Sequence, residues 1–105
     1  MSATSAEITA IDLDRLRRRR DEILRCAARH GARNVRVFGS LARGETGKVS
    51  DVDLLVAMEP GRSLLDLVAI WQDLEDLLGI HVDVLSDGGV SPHLRDRIYA
   101  EAVPL

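Results

Sequence analysis

Val35-Arg36-Val37-Phe38-Gly39-Ser40-Leu41-Ala42-Arg43-Gly44 leads, after a short polar stretch, into Ser50-Asp51-Val52-Asp53-Leu54-Leu55-Val56. An apolar strand ending in Gly39-Ser40 at a helix start offers backbone N–H groups to a phosphate. Asp51 and Asp53 stand at i and i+2 of the next strand, so both side chains point to one face, roughly 6.5–7 Å apart along it. Val52, Leu54 and Val56 face the other way, which predicts a half-buried strand with its polar side free for chemistry. Asp83 repeats the pattern in His81-Val82-Asp83-Val84-Leu85. Three carboxylates on two strands suit a pair of Mg²⁺ ions about 3.5–4 Å apart, the arrangement used for in-line displacement at phosphorus.

Each fragment alone has a plainer explanation. An Asp-x-Asp is usually a solvated strand edge, and Gly-Ser is weaker still. Their conjunction is hard to assemble for packing reasons, because facing carboxylates without a cation repel and destabilise the fold.

Caps and breakers set the coarse organisation. Asp12 or Thr9 caps a first helix running to about Arg29, with Gly31 as its stop. Strands are expected at Val35 to Phe38, Asp51 to Ala57 and His81 to Leu85, and Ser40 opens a short helix. Glu59-Pro60-Gly61 is a turn signal, and Ser63 with Asp66 forms a capping box for a helix through Leu78, ended by Gly79. Leu64, Leu67, Val68, Trp71, Leu74 and Leu78 are its expected core face, with Trp71 read as a packing anchor. Asp87-Gly88-Gly89 is a flexible connection, Ser91-Pro92 starts a last helix, and Val103 to Leu105 add a frayed edge strand. The order gives an α/β (α+β) fold: a small mixed sheet with helices on one face and the aspartates on the other.

At 105 residues and 46% hydrophobic composition, the chain can bury roughly 60–68% of its unfolded surface, enough for one core. A single domain over residues 1–105 is therefore expected. The lone Cys26 excludes an internal disulfide, and His30, His81 and His93 lack metal-ligand spacing, so no zinc site is read. Apolar runs reach about five residues, as in Leu54 to Met58, far short of a membrane span; a cytoplasmic protein is the default. The net charge of −3 gives no global attraction to nucleic acid, although Arg15 and Arg17 to Arg20 form a basic run. In the stripe Leu13, Leu16, Arg20, Ile23, Ala27, Arg20 takes an apolar position, where it snorkels or reaches toward a partner surface.

At the quoted residues the chain resembles the minimal nucleotidyltransferases of the DNA polymerase β superfamily. Their signature is Gly-Ser-x-Ala-Arg-Gly, a spacer, Ser-Asp-x-Asp-Leu-x-Val, and a later lone strand Asp. Gly39, Ser40, Ala42, Arg43, Gly44, Ser50, Asp51, Asp53, Leu54, Val56 and Asp83 stand at those places. The resemblance implies the polymerase β-like fold. Gly39 and Ser40 would hold the β- and γ-phosphates of ATP, and Asp51 and Asp53 would ligate both Mg²⁺ ions. Asp83 would complete the catalytic metal's shell and help deprotonate the acceptor hydroxyl. Arg43 either contacts phosphate or pairs with Glu45.

Larger relatives add a second domain to hold the acceptor. Chains of this size resemble the antitoxin half of HEPN–MNT toxin–antitoxin systems, in which AMP is moved from ATP onto a tyrosine of the HEPN ribonuclease. The resemblance thus implies a protein adenylyltransferase with a HEPN-type toxin as partner; the short apolar runs and acidic balance imply no membrane and no stable nucleic-acid binding, and Arg20 on the first helix leaves self-association an open option. The rival is a binding module that neutralises its partner by occlusion. Three intact, mutually repelling carboxylates favour catalysis.

Overall fold

The computed structural model describes residues 12–44 and 52–105; Thr9, Glu45, Ser50 and Asp51 of the sequence reading lie outside the described residues. Asp12 caps α1 (Leu13–Arg18) by accepting the Arg15 N–H at 2.8 Å. The expected single helix is two: α2 (Arg20–Arg29) follows after Arg19, which has left helical geometry at φ −100° and ψ 14°. Its N–H bonds back three residues to Leu16 instead of four. The Arg19 guanidinium is drawn to Glu22, at 2.6 Å, and to the Leu77 carbonyl, at 3.3 Å, contacts a periodicity count does not register.

β1 (Ala32–Phe38) starts three residues earlier than expected. Asn34 sits at φ 55°, and the pairing of β1 with β2 (Val52–Met58) shifts between Arg33 and Arg36. A bulge there breaks the side-chain alternation, so the pattern is legible only from Val35 onward. α3 (Gly39–Ala42) follows β1 directly. α4 (Leu64–Leu78) has the expected capping box, Leu65 N–H to Ser63 Oγ and Ser63 N–H to Asp66 Oδ2, and ends at Gly79 with φ 71°. β3 (Val82–Ser86), a 3₁₀ turn (Asp87–Gly89), α5 (Pro92–Glu101) and β4 (Val103–Pro104) complete the chain.

The four strands form one mixed sheet in the order β3-β2-β1-β4, with β2 and β3 parallel and the other pairs antiparallel. Leu16, Ile23, Val37, Leu54, Val56, Ile70, Leu74 and Val82 form the main core between the sheet and α1, α2 and α4. Each such fully buried side chain contributes roughly 1.5–3 kcal/mol. α5 adds a smaller cover on the opposite face, where Leu55, Val90 and Ile98 pack with Phe38 and Leu85. Those apolar residues alternate along the strands to the same side as Asp53 and Asp83, and α5 shields them while the aspartates stay accessible.

Three local expectations change. Leu64 is 72% exposed, since it begins the first turn of α4, beyond the sheet; Ile70 is buried in its place. Trp71 is partly exposed, with its indole N–H on Glu75 at 2.9 Å, and so belongs to the rim. β4 is not frayed: Leu105 is buried and its N–H reaches the Val35 carbonyl. Arg17 and Arg20 donate to the Pro104 and Leu105 carbonyls, so the guanidinium of Arg20 ties α2 to β4 within the chain. Among the described residues no helix is long and apolar enough to cross a membrane.

β3 lies at the sheet edge, and Glu75 covers its first outward amide, accepting the Val82 N–H at 3.1 Å. That bond first, then the Trp71 indole and His81, holds the Glu75 carboxyl below its ordinary pKa despite some desolvation. A carboxylate depressed in the folded state stabilises it above the unfolded pKa of about 4.3 and loses that contribution as pH falls through the folded value. Glu75→Gln is therefore expected to lower the melting temperature at pH 7. The gap from wild type should close progressively in unfolding scans taken below about pH 4.3; a gap unchanged down to pH 3 would contradict the assignment.

Candidate functional site

Gly39 is where the site begins. It follows Phe38, the register partner of Asp53, and it turns out of β1 at φ 74°. A Cβ at this position would collide with Asp53 Oδ2. Glycine is required twice here, for the left-handed backbone and for the close approach of backbone to carboxylate. Ser40, next in the first turn of α3, is half-buried.

Asp53 and Asp83 are direct register partners on the parallel strands β2 and β3. Both are half-buried and point to the same face, on backbones roughly 4.8 Å apart. Two like charges so placed repel, and a divalent cation between them would offset that repulsion. Hard oxygen donors on adjacent strands fit Mg²⁺, which takes one or two carboxylates and completes its shell with water and phosphate oxygens. Among the described residues no group of three His, Cys, Asp or Glu side chains is placed to hold a metal. Asp51, the third carboxylate of the sequence reading, lies outside them.

Two residues that sequence reasoning did not single out adjoin these groups. Glu101, at the last turn of α5, accepts the Gly39 N–H at 3.3 Å and pairs with Arg43 Nη1 at 3.1 and 3.2 Å. Arg43 thus has a partner 58 residues away; Glu45, the partner expected from sequence, lies outside the described residues. The available signal was weak: a carboxylate at a helix C-terminus opposes the helix dipole and needs a cation nearby. The second residue is His81, whose Nε2 stands 3.3 Å from Asp83 Oδ1 and whose Nδ1 stands 2.8 Å from Glu75 Oε2. Its signal was position, two residues before Asp83 and hence on the same side of the strand.

The arrangement has distinct chemical capacities. One end of the sheet carries a glycine turn, a half-buried hydroxyl, one arginine paired with Glu101 and two adjacent aspartates. Such a set can hold a polyphosphate and a divalent cation side by side. A groove of about 550 Å³, lined by Arg25, Cys26, Arg29 and Asp73 among others, lies between α2 and α4. It is lined by charges of both signs and is separate from the aspartates.

Comparison with known proteins agrees with this chemistry. The family model described as nucleotidyltransferase domain matches residues 20–104. A Methanocaldococcus jannaschii protein named as a protein adenylyltransferase is 45% identical over 82 residues, covering 78% of this chain and 88% of that protein. The Thermococcus cleftensis protein adenylyltransferase MntA is 39% identical over 75 residues, covering 71% and 76%. A solved structure described as a minimal nucleotidyltransferase superposes with TM-score 0.79 at 54% identity, over 90% of this chain and 97% of that one. A toxin–antitoxin structure with AMP-PNP shares the fold, with TM-score 0.69 at 19% identity, over 80% of this chain and 69% of that one. With the glycine turn against Asp53 and the Asp53–Asp83 pair already in place, the chain belongs to the nucleotidyltransferase family, among its minimal members.

Proposed function

We propose that this chain is a Mg²⁺-dependent protein adenylyltransferase that acts as an antitoxin, moving AMP from ATP to a hydroxyl of a HEPN-type ribonuclease toxin. The observation that carries the reading is the register pairing of Asp53 with Asp83 beside Gly39, whose left-handed backbone favours glycine and lies against the Asp53 carboxylate. The names of the relatives support protein as the acceptor class, and the toxin–antitoxin structure shares the fold.

In this reading residues 1–105 act as one nucleotidyltransferase domain. Gly39 and Ser40 receive the β- and γ-phosphates, and Arg43, one turn later, adds positive charge at the same end. Asp51 and Asp53 would hold two Mg²⁺ ions, with Asp83 as a further ligand of the catalytic one. Bound Mg²⁺ would neutralise phosphate charge and polarise the α-phosphorus. Asp83 takes the proton of the acceptor hydroxyl as its oxygen bonds to the α-phosphorus. The bond from the α-phosphorus to the oxygen bridging to the β-phosphate breaks, and pyrophosphate leaves.

Asp53→Asn should abolish Mg²⁺-dependent ATP binding in calorimetry. It should also abolish the gain in thermal stability that wild type shows with Mg²⁺ and ATP, about 2.7 kcal/mol at a hundredfold excess over Kd. Absence of Mg²⁺-dependent ATP binding by wild type at millimolar concentrations would remove the enzyme reading.

Asp83→Asn separates catalysis from occlusion. Its ATP affinity should stay within a few-fold of wild type, because the phosphate contacts at Gly39 and Ser40 persist. The transfer rate should fall by roughly 10²–10⁴, the usual contribution of a general base. Mass spectrometry of a candidate HEPN toxin should show added AMP with wild type, Mg²⁺ and ATP, and none with the variant. Equal neutralisation of the toxin by both proteins, with no adduct on either sample, would establish occlusion instead.

A further inference from the structure

A connected line of side chains runs from the exposed face of α4 to Asp83. Trp71 Nε1 donates to Glu75 Oε2 at 2.9 Å, and the Val82 N–H donates to the same oxygen at 3.1 Å. His81 Nδ1 stands 2.8 Å from that oxygen, and His81 Nε2 stands 3.3 Å from Asp83 Oδ1. The Trp71 and His81 rings meet edge to face, with centroids 6.4 Å apart and planes at 72°. Glu75 is thus fixed to the main chain of β3 and to an indole at once, and it supports the imidazole from behind.

The arrangement bears on a specific difficulty of the site. Asp83 lies on an edge strand, and its side chain is 47% exposed. A carboxylate in that setting has little packing to select one χ1 and χ2. Proton abstraction, however, requires one oxygen within about 2.6–3.2 Å of the hydroxyl it serves. His81 is on the same side of the strand two residues earlier, and it is restrained by Glu75 and by the Trp71 ring. Its Nε2 stands 3.3 Å from Oδ1, and a carboxylate held at Oδ1 has Oδ2 left to be aimed.

We propose that His81 is a positioning residue for Asp83: the Trp71–Glu75–His81 line holds Asp83 Oδ1 and thereby orients Oδ2 toward the acceptor hydroxyl. The inference rests on the adenylyltransferase reading given above. It assigns to His81 a contribution to the chemical step and none to nucleotide affinity.

Three substitutions at this half-exposed position test it, because they keep different parts of the imidazole. Glutamine places an amide N–H near the position of Nε2, facing Asp83. Asparagine retains a donor near Nδ1, facing Glu75, and is too short to reach Asp83. Alanine keeps neither.

AMP transfer to a candidate HEPN toxin, with Mg²⁺ and ATP, would be measured alongside KM for ATP and the melting temperature. His81→Ala and His81→Asn should each lower kcat by about 10- to 100-fold, the range for residues that orient a reacting group from behind. KM for ATP should stay within twofold of wild type, and His81→Gln should recover most of kcat. Equal kcat for wild type and His81→Ala would overturn the positioning role alone. So would equal losses in His81→Gln and His81→Ala, or a loss that follows the melting temperature. If wild type binds ATP and Mg²⁺ yet adds no AMP, the adenylyltransferase reading falls and the role of His81 falls with it.

Discussion

Two carboxylates on neighbouring strands, roughly 4.8 Å apart at the backbone, are the constraint around which the rest of this molecule is arranged. Asp53 and Asp83 face each other because β2 and β3 run parallel with their second residues in register. The crossover helix α4 makes that parallel pairing possible. Burying the pair completely would require the charges to be neutralised, so the strand starts stay accessible while the strand ends, with Leu55 and Leu85, are covered by α5. One sheet face therefore has two halves, a polar half for ligands and an apolar half that anchors the cover.

The mixed direction of the sheet is what brings the glycine turn to the same place. β1 runs antiparallel to β2, so its C-terminal end lies beside the beginning of β2, and Gly39 meets Asp53. In an all-parallel sheet the turn after β1 would lie at the opposite end from the first residues of β2. The glycine turn and the carboxylates are then contributed to one place by different strands. The same geometry strains any side chain at position 39 and presses its Cβ onto the Asp53 carboxylate.

The motif-bearing elements were legible in the sequence because their information is local. The capping box at Ser63 and Asp66, the αL stop at Gly79 and the Pro92 helix start are each decided within four residues, and all three appear as expected. The alternation that placed Asp53 and Asp83 on one face is equally local. Features decided by distant partners were not legible: Arg19 breaks its helix to reach Glu22 and Leu77, and Arg20 turns to the Leu105 carbonyl. Trp71 sat in a correct helical stripe yet turned to the rim, because its indole N–H finds Glu75 there. Within the site, Gly39, Ser40, Asp53 and Asp83 were read from spacing, whereas Glu101 and His81 enter only through tertiary contact.

Those late additions connect the site to the ends of the fold. Glu101 links Gly39 and Arg43 to the last turn of α5, and β4, which follows at once, pairs with β1 through Arg36 and Val37. β4 is in turn held by the guanidinium groups of Arg17 and Arg20 on α1 and α2. The phosphate end of the site is therefore braced by residues far apart in sequence, and displacement of α5 would reach Gly39 through one carboxylate. Asp83 is braced from the other side by α4. Gly39 and Asp83 are thus held by two separate structural routes, which join in the sheet between them.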